Sequence, residues 1–123
     1  MDRFLRLFSV AFVALGPWVS AAADPVGNPA EGHRLALKVC TACHVVAADQ
    51  ENGPVLRNPA PSFEAIAKRP SITAASVRNF LLTIHRTFAN GTDMPNPQLT
   101  DDQATDIAAY IVSLQPAKPA TKP

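Results

Sequence analysis

The sequence predicts an all-α domain of about four short helices, gathered around something other than its own side chains. Three observations carry that reading. Four segments open on helix-capping residues or repeat apolar residues at helical spacing, and none alternates as a strand would. Aromatics are few and prolines number 12 in 123 residues, so the side chains by themselves make a thin core. The only two cysteines stand three apart in VCTACHVV, with a histidine directly after the second.

The first 23 residues read as a secretory signal rather than as part of the fold. Arg3 and Arg6 give a basic start, residues 7–15 (LFSVAFVAL) an apolar run, and Gly16-Pro17 a break before Ser20-Ala21-Ala22-Ala23. Cleavage is expected between Ala23 and Asp24. The alternative, an uncleaved membrane anchor, needs about 20 apolar residues, and this run stops after nine. Removing the signal takes away two arginines and one aspartate, leaving nine basic and nine acidic residues. A neutral chain of this kind points to neither nucleic acid nor an anionic membrane as partner. The domain is expected over residues 24–115, and residues 116–123, PAKPATKP, form a tail without apolar anchors.

Within the domain, the first helix is expected from about Pro29 through the cysteine pair. Asn28 is its cap, Pro29 its first residue, Glu31 reaches back to the cap, and Leu35 and Val39 share one face. Turn residues dominate from His44 to Pro61. A short helix follows over residues 62–68 and stops before Pro70. A third begins near Thr73, with Val77, Phe80, Leu81 and Ile84 as its buried stripe. The chain is again irregular over residues 86–99. The last helix opens on the capping box Thr100-Asp101-Asp102-Gln103, whose aspartates also favour the positive end of the helix dipole. Ala104, Ile107, Ala108, Ile111 and Leu114 form its apolar face, and Pro116 ends it.

Cys40, Cys43 and His44 carry the chemistry. Residues three and four apart on a helix share a face, so two thiols and an imidazole can address one flat object. Cys-x-x-Cys-His is the attachment signature of c-type haem, in which each thiol takes one vinyl group and the histidine supplies a nitrogen to the iron. A thioredoxin-like dithiol would follow a strand in a βαβ unit, and no such pattern is present. A zinc site needs four ligands, and His33, His44 and His85 lack clustered spacing. A disulfide would close a very short loop and leave His44 and the thin core unexplained.

A sixth iron ligand has two candidates. Met94 is the only methionine after signal removal. It sits in Gly-Thr-Asp-Met-Pro-Asn-Pro, where an apolar side chain has nothing nearby to pack on, and Pro95 keeps it extended. His85, nine residues earlier, is the rival and would give a bis-histidine site. His33 is read as a surface residue.

These residues resemble a small monohaem c-type cytochrome of the single-domain, His/Met-ligated, bacterial periplasmic type. The likeness runs from Gly32 to Leu114. It rests on Cys40-Thr-Ala-Cys43-His44, on Met94-Pro95 followed by Leu99-Thr100-Asp101, and on Ala109-Tyr110-Ile111-Val112-Ser113-Leu114. Ala60-Pro61-Ser62-Phe63 and Ile84-His85 add to it. The resemblance implies a cytochrome c-like fold wrapped around one covalent haem c, with His44 as proximal and Met94 as distal axial ligand. It also implies that the first and last helices cross closely, with Gly32 facing Ile107 and Tyr110. A proline carbonyl after the motif is expected to accept the proton of the proximal histidine. Pro54 and Pro61 are both eligible, and Pro61 is favoured because Ser62-Phe63 continues the match. Two departures stand out. Ala36 occupies a position where the family often has an aromatic, and no tryptophan remains to hold a haem propionate, which leaves Arg57, Arg86 or backbone groups.

The function implied is that of a periplasmic one-electron carrier and not an enzyme. It would take an electron from a dehydrogenase or quinol-oxidising complex and pass it to an oxidase or reductase, without stable membrane insertion once the signal is cleaved. Two alternatives share the chemistry: a haem c subunit of a periplasmic dehydrogenase complex, and a haem protein with an open sixth site for gas or peroxide.

Overall fold

The computed structural model describes residues 26–83 and 94–117. They form four helices: α1, Pro29–Val39; α2, Phe63–Ala67; α3, Ala74–Leu82; and α4, Asp101–Ser113. There is no strand among the described residues. Each helix starts at a side-chain cap that takes up backbone N–H groups the helix cannot satisfy itself. Asn28 accepts from Ala30 and Glu31, Ser62 from Ala65, Thr73 from Ser76, and Thr100 from Gln103. Thr73/Ser76 and Thr100/Gln103 are reciprocal capping boxes.

Two expectations for α1 are corrected. Glu31 does not reach back to the cap. It pairs with Arg34, and the Asn28 N–H instead donates to the Asp106 carboxylate of α4 at 2.7 Å. The helix also ends at Val39 rather than continuing through the cysteines. Val39 and Thr41 are β-branched, and the Thr41 hydroxyl donates back to the Leu37 carbonyl at 3.4 Å, competing with the helical ladder.

Helix α4 is the centre of the molecule and packs against all three others, most extensively against α1. Ala104, Ile107, Ala108 and Ile111 are buried, joined by Thr105 and Tyr110. On α1 the buried residues are Gly32 and Ala36, the smallest available, while Leu35 is only partly buried and Val39 is 47% exposed. A Cβ on Gly32 would lie 2.0 Å from the Asp106 carbonyl oxygen and 2.9 Å from the Ile107 nitrogen. The two backbones therefore meet where no side chain fits. Gly27, which sequence reading had not singled out, makes a second such approach: a Cβ there would lie 2.3 Å from the Thr105 carbonyl oxygen. Ala36, one turn further along the same helix, is fully buried.

On α3 the buried line is Val77 and Leu81, and Phe80 is half exposed, contrary to the expected stripe. The buried side extends toward Arg78 and Leu82, so Phe80 falls on the opposite flank, about 100° from Leu81. Ile84 lies outside the described residues. An Arg78–Asp101 ion pair joins α3 to the first turn of α4. The stretch from Met94 into α4 turns at Gln98, whose φ of 53° is left-handed and whose N–H is held by the Asn96 side chain at 2.8 Å. No helix among the described residues is long and apolar enough to cross a membrane.

Candidate functional site

Cys40 caps α1, and the motif continues as one further turn. The Cys40 carbonyl accepts from the N–H of Cys43 at 3.2 Å and of His44 at 3.0 Å. Both thiols are free, Cys40 buried and Cys43 half buried. The Cys40 thiol is pushed up to about 11, first by burial and then by the neighbouring Cys43. A redox dithiol needs the opposite, a thiol whose ionisation is made easier. Among the described residues there is also no group of three or more His, Cys, Asp or Glu able to hold a bare metal ion.

Three backbone bonds tie the chain after the motif back to it. The carbonyls of Ala42, Cys43 and Val45 accept from the N–H groups of Val55, Ala60 and Phe63 at 3.1, 2.9 and 2.9 Å. These bonds bring the loop beneath His44. His44 is buried, and its Nδ1 stands 2.7 Å from the Pro61 carbonyl oxygen. A carbonyl only accepts, so the proton is on Nδ1, and in the neutral imidazole Nε2 keeps its lone pair. Of the two eligible prolines it is Pro61 that stands here; Pro54 lies where Val55 bonds the Ala42 carbonyl. The Phe63 ring lies 5.5 Å from the imidazole, tilted to it.

Met94 is partly buried and packs against the apolar core, although its neighbours in sequence are polar. Its rival, His85, lies outside the described residues, as does Arg86; Arg57 is exposed. His33 is not the plain surface residue expected. Its ring stands 4.9 Å from that of Tyr110, and its Nε2 is 3.0 Å from the Asp49 carboxylate. Sequence reading also missed the Tyr110 hydroxyl, which donates to the Val46 carbonyl at 2.9 Å across 64 residues of chain. No local signal marks such a bond.

The cytochrome c profile matches residues 29–115, from the first residue of α1 to just past the end of α4. The chain belongs to the cytochrome c family. It is 39% identical over 116 residues to cytochrome c-552 of Bradyrhizobium diazoefficiens, an overlap of 94% of this chain and all of that protein. No solved structure matches it significantly. Membership carries with it covalently bound haem c and electron transfer between redox proteins as the general function. The residues present fit that cytochrome group: two unpaired thiols and a buried imidazole with Nδ1 already engaged share a single turn.

Proposed function

We propose that this cytochrome c is a periplasmic one-electron carrier with a single haem c. The thiols of Cys40 and Cys43 would hold the haem through thioether bonds, and His44 and Met94 would ligate its iron. The haem, when bound, supplies a one-electron couple between ferric and ferrous iron. The chain's own residues do the rest. Pro61 fixes the tautomer and the angle of the His44 ring, leaving Nε2 as the donor. Met94, held extended by Pro95, offers a thioether, a ligand that favours the ferrous state. With both residues ligating, the iron would keep no open position for a substrate. Residues 1–23 would serve as the export signal and be removed before Asp24.

The observation that carries this reading is the buried His44, with Nδ1 on the Pro61 carbonyl, on the same turn as two free thiols. The absorption spectrum of protein exported with the haem-attachment machinery tests it, recorded oxidised and reduced. The ferric form should show the weak far-red band of an iron–thioether bond, and Met94→Ala should abolish it. A haem spectrum unchanged in Met94→Ala would remove Met94 from the site and favour His85 or an open sixth position.

A further inference from the structure

Tyr110 stands between the two chain segments that meet at His44. On one side its hydroxyl donates to the carbonyl of Val46, two residues beyond His44, in a buried bond of 2.9 Å. On the other its ring lies 6.2 Å from that of Phe63, two residues beyond Pro61, and Phe63 in turn lies 5.5 Å from the His44 ring. Val46 is almost fully buried, and its N–H is taken by the Gln50 side chain at 2.8 Å, so the segment has little freedom to slide. Tyr110 is itself steadied from α1, where the His33 ring packs 4.9 Å away with Asp49 bonded behind it. One α4 side chain thus touches the segment that carries the imidazole and the helix that begins just after the accepting carbonyl.

We propose that Tyr110 is a positioning residue for His44, setting the closeness of Nδ1 to the Pro61 carbonyl and, through it, the electron density at Nε2. A ligating histidine whose other nitrogen donates strongly becomes a more basic ligand. Loosening that bond makes Nε2 a weaker donor, which stabilises ferric iron less and raises the reduction potential. The inference rests on the proposal that His44 binds the iron.

The test compares Tyr110→Phe, which removes only the hydroxyl, with Ile107→Val, a core change elsewhere on α4 that destabilises through packing alone. Both are made in the haem-loaded protein. Solvent exchange of the His44 Nδ1–H, followed by NMR, should quicken by about fivefold or more in Tyr110→Phe relative to Ile107→Val at equal global stability. The reduction potential should rise only in the former, and Phe63→Leu should move both readings the same way. Equal exchange and an unchanged potential in Tyr110→Phe would reduce Tyr110 to a helix-packing residue and overturn the inference. The wild-type ferric spectrum separates the two readings. His44 ring protons without paramagnetic shifts would defeat the ligand assignment itself, whereas shifted protons that Tyr110→Phe leaves unmoved would defeat only the role of Tyr110.

Discussion

At the scale of single residues, the close passage of α1 over α4 depends on the absence of an atom. A methyl group on Gly32 would stand 2.0 Å from a backbone oxygen, and neither helix can yield by rotating a side chain. Gly32→Ala should therefore cost about 3 kcal/mol, the upper part of the usual range for overpacking, as measured by denaturant unfolding of the holoprotein. A loss within experimental error would mean that the helices part at no cost. Tyr110 supplies a pH dependence. Its phenol is held above the ordinary tyrosine value, first by burial and second by the nearby Asp49 carboxylate. Below that ordinary value folded and unfolded chains are both neutral at this position, and stability does not respond to pH through it. Above it the unfolded chain releases its proton first, so stability falls as pH rises toward the folded value. Thermal unfolding should accordingly show an alkaline decline that is smaller in Tyr110→Phe. An identical decline in the variant would assign it to other groups.

Among the elements, the start of α1 shows how a local signal yields to a stronger distant one. Asn28 followed by Glu31 three residues later has the form of a capping box, and in isolation the glutamate would take the Asn28 N–H. In the folded chain α4 crosses at this point and Asp106 takes that N–H, with Glu31 left to pair with Arg34 on the helix surface. The bond from Asn28 to Asp106 joins the beginning of the first helix to the middle of the last. Asp106→Ala should cost about 1.5 kcal/mol or more, since the acceptor is charged. Asp106→Asn, which retains a carbonyl oxygen at the same place, should lose less. Unfolding curves for the two variants check the order, and equal losses would mean that the bond contributes nothing beyond packing.

For the molecule as a whole, the described core is small. Its largest fully buried side chains are Ile107 and Val46, and α2 contributes only Phe63 and Ala67. A domain of about a hundred residues with so thin a core needs a further source of stability. The haem implied by family membership would supply it through covalent attachment and apolar area. The double variant Cys40→Ala/Cys43→Ala, which cannot be attached, should lose cooperative unfolding by circular dichroism. A haem-free variant that unfolded as cooperatively as the holoprotein would show that the helices suffice.

The sequence by itself determined what depends on neighbours along the chain. Ser62, Thr73 and Thr100 cap because each acts within its own first turn, and the buried face of α4 follows from helical spacing. The grouping of Cys40, Cys43 and His44 likewise needs only one turn of backbone, whether or not the helix continues through it. The tertiary structure decided what depends on distant segments meeting. It set how closely α1 and α4 meet, so near at Gly32 that a Cβ would stand 2.0 Å from the Asp106 carbonyl oxygen, and it left Leu35 only partly buried and Val39 exposed. It put the Pro61 carbonyl rather than that of Pro54 against His44, through backbone bonds between residues 13 to 18 positions apart. It drew His33 and Tyr110 from opposite ends of the domain into one ring contact. Periodicity and capping are properties of a few adjacent residues, whereas these contacts exist only once the helices have chosen their crossing, and no short stretch of sequence contains that choice.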